Sequence, residues 1–255
     1  MENPLTSSDE IVSNCRVVVS ARTLPSAAAA RIAQVLEHAV ARRGRACVAL
    51  AGGNTPRSVY RRLAQAHRLP REQLEIYFGD ERAVPPNDPQ NNYQMARETL
   101  LDAASLAPAQ IHRIVAEGAD LEAAADDYAA RLPDRLDLII LGIGEDGHTA
   151  SLFPGSPALN ERARKVVVVD APKPPRRRLT VTPPVIAAAR VKIVLASGAE
   201  KSDAVARALE GSEDINGCPA QLARDGIWIM DHAAAAGLRS SDPTAGASRR
   251  RASAR

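Results

Sequence analysis

The sequence predicts an α/β fold: a single domain built on a mostly parallel sheet flanked by helices. Three observations carry this reading. Short apolar runs of strand length alternate with Ala- and Leu-rich segments of helical spacing, the pattern of a parallel sheet with crossover helices. The 255 residues are enough for one large domain with a sizeable core. No internal repeat or long linker divides them, and the Pro-rich patches at 84–89 and 171–175 are short enough to be loops.

The elements follow in order. Strands are expected at 16–20, 46–51, 74–79, 136–141, 165–169, 191–196 and 227–230, short runs rich in apolar residues. Helices are expected at 26–42, 57–66, 93–103 and 121–131, where small and apolar residues recur with a helical period. The domain is expected to span residues 10–237. The remainder, 238–255, is rich in Ser, Ala and Arg and reads as a disordered basic tail. Aromatic residues make up only 3% of the chain, so Ala, Val, Leu and Ile must build the core.

Charge and cysteine usage narrow the function. The net charge is +3, but the tail holds Arg239, Arg249, Arg250, Arg251 and Arg255 against Asp242 alone. The body is therefore close to neutral, which argues against a broad nucleic-acid face. Cys15, Cys47 and Cys218 are scattered without CxxC spacing, so neither a disulfide framework nor a zinc site is expected. Spacings of His, Asp and Cys suggest no metal site, and metal-free chemistry is the expectation. No apolar stretch is long enough to span a membrane and no signal peptide is evident, so cytoplasmic residence follows by default.

In an open α/β sheet, ligands collect at the carboxyl ends of the strands. Four segments with chemical potential lie there. The first, Ala51-Gly52-Gly53-Asn54-Thr55-Pro56, lets the backbone approach a ligand, and Asn54 or Thr55 is expected to cap the next helix. Its free N–H groups would suit an anion; alone, it is equally a tight strand-to-helix turn. The second, Gly79-Asp80-Glu81-Arg82, offers Arg82 as a planar grip on phosphate, oriented by the acids beside it. A surface charge cluster reads the same way. A long Pro/Asn-rich loop follows, at 84–92.

The third segment runs from Gly142 to Pro154. Its GxGxxG pattern resembles a dinucleotide-binding turn, and Asp170 stands near the position of a ribose-binding acid. Pro154 and Pro157 arrive too early for the long helix that turn requires. His148 is the more informative residue, because an imidazole at a strand end exchanges protons near neutral pH. A lone histidine is more often structural. The fourth segment pairs Arg178, before a short apolar strand or edge, with Lys201 in the first turn of a helix. The helix dipole disfavours a cation there, which hints at an anion to offset it; a surface Arg and a solvated Lys are the bland alternatives. Together, three cations, an anion-ready helix start and one histidine point to a phosphorylated substrate.

These segments, AGGNTP, FGDER, GIGEDGHTASLFP, RLTVT and SGAEK, resemble the glucosamine-6-phosphate isomerase/6-phosphogluconolactonase family, on its lactonase side, along nearly the whole globular chain. Asn54 stands where that family commonly has Ser. The resemblance implies a Rossmann-like fold shared with glucosamine-6-phosphate deaminases and ribose-5-phosphate isomerases. It implies hydrolysis of 6-phospho-D-glucono-1,5-lactone to 6-phospho-D-gluconate, the second step of the oxidative pentose phosphate pathway, without a cofactor. By it, His148 is catalytic and Asp146 helps set its loop. Gly52, Gly53, Asn54, Thr55, Asp80, Arg82, Arg178 and Lys201 bind the substrate and its phosphate. A small-molecule substrate, no nucleic acid, no membrane and a monomer or small homo-oligomer are expected.

Two alternatives remain at this stage. Deaminase-type relatives carry MDEY and HIAFNEP, where this chain has Gly79-Asp80-Glu81-Arg82 and Thr149-Ala150-Ser151-Leu152-Phe153-Pro154, so the acid of NEP is absent and an arginine gained. A non-catalytic sugar-phosphate sensor would need a DNA-binding module, for which the roughly 10 residues before the first strand leave too little chain.

Overall fold

Six strands form one all-parallel sheet, in the order β1-β9-β8-β5-β2-β3. They are β1 (Cys15–Val19), β2 (Ala46–Leu50), β3 (Leu74–Phe78), β5 (Leu138–Gly142), β8 (Val191–Ala196) and β9 (Ile227–Asp231). A computed structural model describes residues 14–239. The expected strands at 16–20, 46–51, 74–79, 136–141, 191–196 and 227–230 supply this sheet, displaced by one or two residues at most.

The expected strand at 165–169 has a different place. As β6 (Val166–Asp170) it pairs antiparallel with β7 (Arg177–Val181), and β7 pairs antiparallel with β4 (Asp80–Arg82), making a separate three-stranded sheet. The Gly79–Arg82 segment is thus a strand with Asp80 and Glu81 buried, not a surface charge cluster. Arg178 lies within a strand rather than before one.

Helix α1 (Leu24–Arg43) buries Leu24, Ala28, Ile32, Val35, Leu36 and Ala39, one stripe at helical spacing. It ends at Gly44, whose φ of 74° lets its N–H bond Val40 O at 2.7 Å. α2 (Asn54–Leu63) packs on α1. Small residues on α1 permit this approach. α3 (Asn92–Ala96) continues as a π-helical turn over Arg97–Leu101, where one helix was expected at 93–103. α4 (Leu121–Arg131) packs against β6, and α5 (Pro183–Ala188) and α6 (Ser202–Glu210) complete the chain.

Two fully buried tyrosines finish strand ends that leave the ladder. Tyr60 Oη accepts from Ala51 N (2.8 Å) and donates to Ala51 O (3.0 Å). Tyr128 Oη does the same at Phe78, at 2.7 and 2.9 Å. Each phenol satisfies two backbone groups that water cannot reach.

Strand order reverses between β5 and β2, so the loops after these strands diverge and open a crevice. Among the described residues, no helix is long and apolar enough to cross a membrane. Of the expected tail, all but Leu238 and Arg239 lie outside the described residues. Leu238 N bonds Ala235 O at 3.0 Å and Arg239 N bonds Glu210 Oε2 at 3.0 Å.

Candidate active site

The central strand β5 runs into a loop that folds on itself. Gly147 N donates to Gly144 O at 3.0 Å, and Gly144 N to His148 O at 2.9 Å. Gly147 has a φ of 92°, which an L side chain rarely adopts. His148 N donates to Asp146 Oδ1 at 3.1 Å, and His148 Nδ1 lies 2.6 Å from the same oxygen. The imidazole rests against Phe153, with ring centroids 4.8 Å apart.

The pair's electrostatics assign the tautomer. Partial burial pushes the Asp146 carboxyl up, but the hydrogen bond from His148 and its charge outweigh that and hold it at about 2. Asp146 is then an ionised acceptor, so Nδ1 carries the proton. Nε2 keeps its lone pair and has no partner among the described residues. By linkage, a depressed carboxyl stabilises the fold above its ordinary value and loses that contribution as pH falls toward about 2.

A cleft of about 620 Å³ opens beside this loop. It is lined by His148 and by Gly52, Gly53, Asn54, Thr55, Asp80, Arg82, Arg178 and Lys201, so all but one of the sequence-selected residues face one space. The exception, Asp146, stands behind His148 and borders a second hollow along β6.

The cleft is rich in unspent donors. Gly53, with a φ of 104°, precedes α2, and neither Asn54 nor Thr55 caps the helix as expected. Both are inside its first turn, so their N–H groups lack helical acceptors and remain available to an anion. After β8, Gly198 repeats this conformation with a φ of 104°. Asp231 orders that turn, accepting from Ser197 Oγ at 2.6 Å and from Gly198 N. Lys201 closes the 3-10 turn Ala199–Lys201 ahead of α6, its Nζ 3.7 Å from Glu145 Oε1.

Arg178 is 9% exposed. Its Nε donates to Pro175 O at 3.0 Å, and its guanidinium lies over Phe153, 5.5 Å from the ring centre. Burial and the neighbouring Arg82 lower its pKa, and Asp80 opposes them. Its terminal nitrogens have no acceptor among the described residues. Arg82 bonds Gln90 O through Nη1, and its buried Nε has no acceptor. Two close guanidiniums with unspent donors suit an anion between or beside them.

Two buried polar residues behind the cleft, Ser151 and Asn92, were given no role by the sequence, and Glu81 was read there only as an acid beside Arg82. Ser151 Oγ donates to Asp80 Oδ2 at 2.6 Å, and Asn92 Nδ2 donates to Asp80 Oδ1 at 3.0 Å. Glu81 accepts from the backbone of Arg82, Asn92 and Tyr93 at 2.7–2.9 Å, tying the start of α3 to β4. Such roles depend on side-chain contacts that only folding makes, across 11 residues for Glu81–Asn92, 12 for Asp80–Asn92 and 71 for Ser151–Asp80; only the polar character of these residues beside strand ends was visible.

Burial pushes the Glu81 carboxyl up to about 7, against the pull of its three N–H donors. A raised carboxyl favours the protonated native state, so its contribution to stability falls as pH rises from the ordinary carboxyl value through about 7. Melting curves of wild type and Glu81→Gln are expected to diverge in slope over that interval, the variant losing this component. Identical slopes would contradict the assignment.

Among the described residues, no group of three or more His, Cys, Asp or Glu side chains is placed to hold a metal ion.

Residues 20–229 match the family described as glucosamine-6-phosphate isomerases/6-phosphogluconolactonase. The chain is 39% identical over 237 residues to a 6-phosphogluconolactonase of Streptomyces coelicolor, covering 84% of this chain and 90% of that one. It is 37% identical to the human 6-phosphogluconolactonase over 210 residues, 76% of this chain and 81% of the other. The structure of 6-phosphogluconolactonase from Trypanosoma brucei superposes with a TM-score of 0.79 at 31% identity, covering 88% of this chain and 98% of that one. A monomeric glucosamine-6-phosphate deaminase shares the fold, with a TM-score of 0.76 at 23% identity over 87% of this chain and 99% of its own.

Proposed function

Because the chain belongs to the family of glucosamine-6-phosphate isomerases and 6-phosphogluconolactonases, we propose that its His148–Asp146 pair is the acid–base centre of the lactonase reaction. That reaction is hydrolysis of 6-phospho-D-glucono-1,5-lactone to 6-phospho-D-gluconate, a step of the oxidative pentose phosphate pathway. The observation that carries the assignment is the 2.6 Å contact between Asp146 and His148 Nδ1, which leaves Nε2 unspent on a residue that lines the cleft.

His148 Nε2 takes a proton from water as its oxygen attacks the lactone carbonyl carbon. The carbonyl becomes a tetrahedral oxyanion. As it collapses, the bond to the ring oxygen breaks, and the imidazolium returns the proton to that oxygen. The products are a carboxylic acid, ionised at neutral pH, and a free hydroxyl. Asp146 holds the ring orientation and stabilises the transient imidazolium. The Gly52–Thr55 backbone, Arg82 and Lys201 hold the phosphate. Arg178 serves either the phosphate or the sugar-acid end, and Asp80 orients the donors around it. Side chains, backbone and water perform every step, so no cofactor is needed.

We place the reaction in the cytoplasm, carried out by a monomer or small homo-oligomer without nucleic acid. The near-neutral charge of the body supports the last point.

The test is turnover of freshly prepared lactone, followed by coupled oxidation of the product. Turnover well above the spontaneous rate is expected of wild type and is expected to be lost when His148 is replaced. Enzymatic turnover that survives the loss of His148, after subtraction of spontaneous hydrolysis, contradicts its role. No turnover by folded wild type overturns the lactonase reading, and glucosamine 6-phosphate is then the substrate to try.

A further inference from the structure

The two walls of the cleft are held apart by a side chain that belongs to neither. Asn92 is 2% exposed and opens α3. Its carboxamide Nδ2 donates to Asp80 O at 2.9 Å and to Asp80 Oδ1 at 3.0 Å. Its Oδ1 lies on the other side, against Gly52, where a Cβ built on that glycine would overlap the carboxamide. Gly52 is therefore glycine for lack of space, and what takes the space is Asn92. Asp80 in turn accepts from Ser151 Oγ, within the chain segment that carries His148. Glu81 fixes Asn92 from behind through the Asn92 N–H, at 2.7 Å.

We propose that Asn92 is a positioning residue for this active site: its carboxamide is a wedge that sets the gap between the Gly52–Thr55 loop and Asp80. The inference rests on the lactonase reading for what the gap accommodates. Asn92 acts through these neighbours and touches neither the reacting bond nor His148. Loss of the wedge lets the Gly52 loop move, while Ser151 still holds Asp80. Binding then suffers more than chemistry.

The test is a double-mutant cycle on the full chain, reading KM, kcat and melting temperature. Gly52→Ala is expected to raise KM on the order of 10²-fold, because its methyl displaces the loop. Asn92→Ala is expected to raise KM about 10-fold with kcat within a few-fold of wild type. The double variant is expected to bind better than Gly52→Ala alone, since the methyl enters the space the carboxamide has left. Multiplicative effects without this rescue overturn the proposal, as does a wild-type KM in Asn92→Ala. Should Asn92→Ala not fold, Asn92→Ser, too short to reach Gly52, carries the same comparison. Binding of 6-phosphogluconate by calorimetry to the same variants keeps the cycle readable if wild type shows no turnover. Rescue of binding then supports the wedge although the lactonase reading has failed, and absence of rescue overturns it.

Discussion

Replacing His148 by alanine is expected to lower kcat/KM on the order of 10²–10⁴-fold, the range for loss of a lone general acid–base group. The measurement needs a pH at which spontaneous opening of the lactone is slow, because that reaction sets a floor. The side chain is 30% exposed and sits on a loop, so the variant is expected to fold, with a melting temperature lowered by the lost bond to Asp146. Asp146→Asn separates orientation from proton transfer. The amide can donate to Nδ1, which forces the proton onto Nε2 and removes the lone pair that accepts from water. A loss on the order of 10²-fold or more is expected from the wrong tautomer. A wild-type rate in His148→Ala would remove the residue from the mechanism. A wild-type rate in Asp146→Asn would leave His148 in place and remove the tautomer argument.

The second large effect is expected at a residue with no side chain. Gly144 lies under the His148–Asp146 pair, and a methyl there would overlap both His148 Nδ1 and Asp146 Oδ1. Gly144→Ala is expected to push the pair aside and lower kcat on the order of 10²-fold, the cost of a displacement near 1 Å in a reacting group. The unspent donors of the Gly52 loop, Arg178 and Lys201 lie on other strand ends, so KM is expected to change little. The contrast with Gly52→Ala, which acts on KM, places the two glycines on different functions. Equal kcat for Gly144→Ala and wild type would mean that the pair tolerates displacement and that its geometry is not what drives the chemistry.

Both effects follow from how the loop is built. Gly144, Gly147 and Asp146 fold the segment so that one carboxylate oxygen accepts from both the backbone N–H and the ring of His148. Phe153 backs the ring and also carries Arg178, so the His148 imidazole and a buried cation share one aromatic support. A change at Phe153 would therefore disturb both, and it is a poor probe of either.

The parallel sheet was legible because its inner strands are buried on both faces and read as unbroken apolar runs such as Leu138-Ile139-Ile140-Leu141. The candidate site was legible because ligand-facing residues concentrate after those runs, where glycine and isolated charge are conspicuous. The second sheet was not legible. Asp80-Glu81-Arg82 has no apolar alternation, and its strand conformation comes from pairing with Thr180, Leu179 and Arg178, about a hundred residues away. The run Val166–Val169 announced a strand but carried nothing to say which sheet would receive it.

By itself the sequence determined the α/β class, the order of most strands and helices, and the set of glycines, cations and histidine that face one cleft. These depend on local periodicity and on turn chemistry, which neighbouring residues encode. Tertiary structure alone decided that Asp80 and Glu81 are buried, that Asn92 stands between Gly52 and Asp80, and that Arg82 spends part of its guanidinium on Gln90. A buried polar group persists only where partners satisfy it, and these come from short and long separations alike: Gln90 lies 8 residues from Arg82, Asn92 lies 12 from Asp80, and Ser151 reaches Asp80 across 71. Their roles exist only once the fold has brought these residues together.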